Sequence, residues 1–142
     1  MPAFTTPTYT IAIAPDAARA ALEPLLAAAG WVSTDTAPLV RLVDARREMT
    51  TLAALAGVAF EEQSGLLAIV TNDAARDTAY DAGATHAVVG DEPAALLRSL
   101  RFAGRHARRV RRQARARRID EAAPARWRVS SPRARRTAPR WR

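Results

Sequence analysis

Short apolar runs alternate with amphipathic stretches from residue 9 to about residue 103, and then the alternation gives way to arginine. Tyr9-Thr10-Ile11-Ala12-Ile13-Ala14 predicts a strand ended by Pro15 and Asp16, with Asp16 as N-cap of a helix. Over 17–29, Ala21, Leu22, Leu25 and Leu26 recur at helical spacing, and Gly30 supplies the stop. Trp31-Val32-Ser33 predicts a brief strand, and Leu39-Val40-Arg41-Leu42-Val43 a clearer one ending on Asp44. Residues 48–59 are helix-like, with Met49, Leu52, Leu55 and Val58 on one face. Leu66-Leu67-Ala68-Ile69-Val70 is wholly apolar, as a strand buried on both faces requires. Thr71-Asn72-Asp73 caps a short helix ending at Gly83. His86-Ala87-Val88-Val89 is the last strand, and Pro93 stands in the first turn of the final helix.

This rhythm predicts an α/β fold, a doubly wound parallel sheet of four to five strands followed by a long C-terminal helix. One connection is too short for the pattern. Only 34–38 separate the second and third strands, where a parallel crossover ordinarily takes about a dozen residues. Either the second strand is vestigial or the helix expected after it is missing. Ligand crevices in such sheets lie at the carboxyl ends of the strands, which here carry Pro15, Asp16, Asp44, Thr71 and Gly90.

Charge divides the chain more sharply than hydropathy does. Residues 1–97 hold 5 Arg against 12 Asp and Glu, a net of −7, whereas 98–142 hold 17 Arg against Asp120 and Glu121, a net of +15. The expected organisation is an α/β domain over 1–103, an Arg-rich extension of the last helix over 104–120, and a disordered basic tail over 121–142. The chain contains no Cys, so neither disulfides nor thiolate chemistry enter. Its first residues lack the pattern of a signal peptide, and no apolar run approaches the ~20 residues of a membrane span. A soluble, cytoplasmic protein is expected.

The layout resembles the receiver domain of bacterial response regulators over roughly residues 8–103. Asp44 stands where the phospho-accepting Asp lies. Asp16 matches the second member of the acidic pair after the first strand, and Thr71 the hydroxyl residue ending the fourth. Tyr80-Asp81-Ala82-Gly83-Ala84-Thr85-His86 looks like the Gly-Ala turn into the fifth strand. The resemblance implies Asp16 and Asp44 as weak Mg²⁺ ligands. It also departs from the family: Pro15 replaces the first acidic residue, Gly90 replaces the Lys after the fifth strand, and no neighbour is expected to stand in for that Lys. Phosphoryl transfer needs both the metal and the cation, so a degenerate receiver with no required cofactor is the expectation.

Ala82-Gly83-Ala84-Thr85-His86, followed by Leu100-Arg101-Phe102-Ala103-Gly104-Arg105-His106, resembles more narrowly the N-terminal region of GGDEF and GGDEF–EAL cyclic-di-GMP proteins. Neither catalytic signature occurs in this chain. What the resemblance implies is the regulatory, protein–protein role of that region.

In the basic extension, Leu96, Leu100, Ala103, Ala107, Val110 and Ala114 are spaced 4-3-4-3-4, the seam of a coiled coil. Homodimerisation through this helix is one expectation, and binding to a signalling partner another. The alternative is a nucleic-acid-binding arm that uses Arg105, Arg108, Arg109, Arg111, Arg112 and Arg115 on phosphates, with Trp127 and Trp141 stacking on unpaired bases. The Arg/Pro/Ala/Trp text of 124–142 also matches out-of-frame translation of GC-rich DNA, and both readings of it stay open.

Against these readings stand plainer ones. Asp44 is expected as an inert strand-end carboxylate capping the next helix rather than as a phospho-acceptor, Asp16 as an N-cap, and Thr71 as a cap of the fourth helix. His86 and His106 have no matching acid or nucleophile nearby in sequence. The expectation is a non-catalytic signalling module.

Overall fold

The computed structural model describes residues 9–122, which divide into two units between Arg109 and Val110. The first is an α/β sandwich built from β1 (Tyr9–Ala14), α1 (Asp16–Ala28), β2 (Trp31–Ser33), β3 (Val40–Asp44), α2 (Thr50–Glu62), β4 (Gly65–Val70), α3 (Asp73–Asp81) and β5 (His86–Val89). A last helix, α4, spans Pro93–Ala122. The first unit includes the start of this helix, up to Arg109. The expected tail lies outside the described residues from 123 onward.

All five strands are parallel and run in the order β2-β1-β3-β4-β5, the flavodoxin-like arrangement. Side chains alternate between the two faces, as the period of a strand demands. In β4, Leu67 and Ile69 join Ile11, Ile13, Leu42 and Val88 under α1 and α4. Leu66, Ala68 and Val70 face the other way, with Val43 and Ala87, against Leu52 and Ala59 of α2 and Ala79 of α3.

The helix-less connection has a geometric cause. Ser33, the last residue of β2, pairs with Ile11, and Val40, the first residue of β3, pairs with Ile11 from the other side. The chain leaves β2 and enters β3 at the same height. No axial return is needed, only a sideways step over β1 of ~10 Å, which 34–39 can make without a helix. Thr34 N donates to Ile11 O at 2.9 Å as the step begins. Leu39 N donates to Thr10 Oγ1 at 2.8 Å as it ends. On that stretch of sheet Thr10, Ala12 and Ala14 are half-buried and Val32 is exposed.

Two sequence expectations are corrected by packing. Leu96, Leu100, Ala103 and Ala107 are buried against the sheet within their own chain, so four positions of the expected dimer seam are already occupied. An amphipathic stripe and a coiled-coil seam share their spacing over such a length. In α2, Val58 is exposed, and the sheet-facing stripe uses Leu52, Leu55, Ala56 and Ala59.

The approach of α4 to the sheet is close. A Cβ on Gly65, at the start of β4, would lie 2.6 Å from the Ala103 carbonyl oxygen. Beside it, Arg41 of β3 donates to both carboxylate oxygens of Glu62 at 2.7 and 2.9 Å, in a largely buried pair that ties α2 to the sheet.

In the second unit, the helical residues include a buried Ala114 and a half-buried Val110, while Arg112, Arg115, Arg117 and Arg118 are exposed. Among the described residues, no helix is long and apolar enough to cross a membrane.

Candidate functional site

The carboxyl ends of β3, β4 and β5 converge on one arginine. Asp44 ends β3, and the chain turns at once, so that Arg46 folds back over it. Arg46 Nε and Nη2 donate to Asp44 Oδ1 and Oδ2 at 2.9 and 2.8 Å, and the Arg46 backbone N–H adds a longer bond at 3.2 Å. This is the two-pronged guanidinium–carboxylate geometry. Arg46 Nη1 also lies 3.3 Å from Asp91, beside Gly90 after β5. Thr71, after β4, donates its hydroxyl to the Arg46 carbonyl at 3.4 Å.

The electrostatics reflect that geometry. The hydrogen bonds of the Arg46 guanidinium hold the Asp44 carboxyl below its usual range, against the opposing effect of partial burial, and Arg47 adds to the depression. Asp44 in turn raises the affinity of Arg46 for its proton. At neutral pH the site is therefore a fixed ion pair, bridged to a second carboxylate.

The predicted residues are only partly brought together. Asp44, Thr71 and the Gly90 turn meet through Arg46. Asp16 stands outside this network, exposed in the first turn of α1, and Pro15 occupies the N-cap position with no side-chain bond. Asp44 does not cap α2, whose N-cap is Met49. Thr71 does not cap α3 either: Asn72 Oδ1 accepts from Ala75 N at 2.8 Å. The sequence pattern also did not reveal the cation. It pointed to the position after β5, where Gly90 stands, whereas the loop after β3 supplies the charge. The signal was present in Arg46-Arg47, two of the 5 arginines in residues 1–97.

The Arg46 guanidinium takes one lone-pair direction on each Asp44 oxygen, so an electrophile or a metal ion meets a carboxylate whose charge is already paired. Among the described residues, no group of three or more His, Asp or Glu side chains is placed to hold a metal ion.

The basic residues of α4 divide by exposure. Arg105, Arg109, Arg112 and Arg115 are exposed, and Arg108 and Arg111 are half-buried. The Arg108 guanidinium rests 4.5 Å from the centroid of the Tyr9 ring, a cation–π contact that engages it within the first unit.

No family model, curated protein or solved structure matches this chain.

Proposed function

We propose that this chain is a non-catalytic, receiver-like signalling module that acts by protein–protein contact, in the cyclic-di-GMP context its sequence resemblance implies. The observation that carries the reading is the Asp44–Arg46 pair. A receiver switches when its strand-end carboxylate gains a phosphoryl group. Here that carboxylate is already neutralised by a neighbour in its own loop, at 2.8 Å, so the module has one charge state at neutral pH.

The test is a titration with Mg²⁺ and beryllofluoride, monitored by backbone NMR, with Asp44→Ala as control. The wild-type spectrum should not change. Shifts centred on Asp16, Asp44 and Thr71 that vanish in the control would overturn the reading in favour of a working phospho-switch.

A second reading, nucleic-acid binding through α4, is favoured by the exposure of Arg105, Arg109, Arg112 and Arg115 on one helix. It predicts affinity for single-stranded DNA that falls steeply with salt, with each Arg→Gln change at a phosphate contact lowering the salt slope by roughly 0.7. Binding that is indifferent to salt would count against it.

A further inference from the structure

At the amino ends of β1 and β2, opposite the Asp44 crevice, Tyr9, Ala29, Trp31, Leu97 and Arg101 line a cleft of about 320 Å³. Its walls are aromatic. The Tyr9 and Trp31 rings lie 5.2 Å apart at 50°, and Trp31, only 6 % exposed, is held in place by the core. Leu97 adds an aliphatic side. The volume falls at the small end of ligand pockets, enough for one ring system with a short substituent.

The rim carries positive charge. Arg101 is exposed and makes no ion pair among the described residues. Arg108 lies over Tyr9. Among the described residues, no acidic side chain lines the cleft. Ala29 closes α1, and the carbonyl end of a helix disfavours an anion. An anionic group is thus directed away from Ala29 and toward α4, leaving the aromatic side for a ring.

We propose that this cleft binds a small planar aromatic anion, its ring against Tyr9 and Trp31 and its carboxylate or phosphate on Arg101. Ring contacts of this kind add to the burial of apolar area, and a guanidinium gives an oxyanion charge-assisted hydrogen bonds. The site does not depend on the state of Asp44, so it stands or falls separately from the signalling reading.

The experiment monitors the Trp31 indole N–H resonance of the full chain. The probes are indole-3-acetate and adenosine monophosphate, each paired with a neutral counterpart, 3-methylindole and adenosine. A saturable shift with an acid, and binding about tenfold weaker for its neutral counterpart, is the expected result. Which acid produces it tells a carboxylate ligand from a nucleotide. Arg101→Gln should weaken the acid about tenfold and leave the neutral compound unchanged. Leu97→Trp, checked for a native backbone spectrum, should abolish both responses by filling the cleft. The proposal is overturned by the absence of a saturable shift with either acid. It is equally overturned by equal affinity for acid and neutral forms, or by a response that survives in Leu97→Trp.

Discussion

Thr10 Oγ1 accepts the backbone N–H of Leu39 at 2.8 Å, and the Leu39 carbonyl accepts from Gly65 N at 2.9 Å. A side chain of β1 and the first residue of β4 thus hold the far end of the helix-less step. Thr10→Val keeps the shape of the side chain and strips Leu39 N–H of its acceptor at a site that is partly buried. Urea unfolding should show a loss of about 1–2 kcal/mol, with Thr10→Ser close to wild type. An unchanged midpoint in Thr10→Val would mean that the step is held by other contacts.

Two glycines should respond in opposite directions. At Gly65 a methyl group would meet the Ala103 carbonyl oxygen at 2.6 Å, and backbone cannot yield as a flexible side chain can. Gly65→Ala should cost about 1–3 kcal/mol. At Gly57, inside α2, an added Cβ meets nothing within 4 Å, so Gly57→Ala should stabilise by about 0.5–1 kcal/mol. Thermal melts of the two variants, on either side of wild type, check both.

The Asp44–Arg46 pair should register in an acid titration. Because the folded carboxyl is depressed, its contribution is present at neutral pH and is lost as pH falls through the folded pKa. Arg46→Gln should return the Asp44 carboxyl toward the usual range, read from its side-chain carbon shift. With both partners partly open to solvent, the stability change at neutral pH should be only about 0.5–1 kcal/mol. An Asp44 titration unmoved by the substitution would contradict the pairing.

His86 gives a second pH signature with its own window. Burial, aided by Arg76, lowers its pKa from the ordinary 6.5, while its Nδ1 lies 3.1 Å from Tyr80 OH and its ring 4.9 Å from Phe102. The unfolded chain then takes up the proton first, so stability falls as pH drops from about 6.5 toward the folded pKa. His86→Phe should flatten that part of the stability–pH curve and leave the carboxylate limb at lower pH in place.

The strands were legible because each had its own punctuation. Pro15, Gly30, Asp44, Thr71 and Gly90 bound runs of β-prone residues, and all five of those runs became strands. The register of α2 was harder to read, because alanine predominates on the face it covers, and alanine sets no strong periodicity. The role of Leu96, Leu100, Ala103 and Ala107 was ambiguous for a different reason. A stripe that fits a partner helix fits a sheet equally well, and only three-dimensional packing chooses. Asp44 and Thr71 were legible as strand-end residues, but the Arg46 bond was not. It depends on how sharply the chain turns after β3, which composition does not encode.

The most apolar segment of the chain, β4, has a neighbouring strand on each side, β3 on one and β5 on the other. The strand that covers it toward the edge, His86–Val89, has only 4 residues, and the opposite edge, Trp31–Ser33, only 3. Short margins offer an incoming chain little backbone to zip onto. The same economy makes β5 a thin guard: if that one strand lifts, the Leu66–Val70 run is laid open as a template for aggregation.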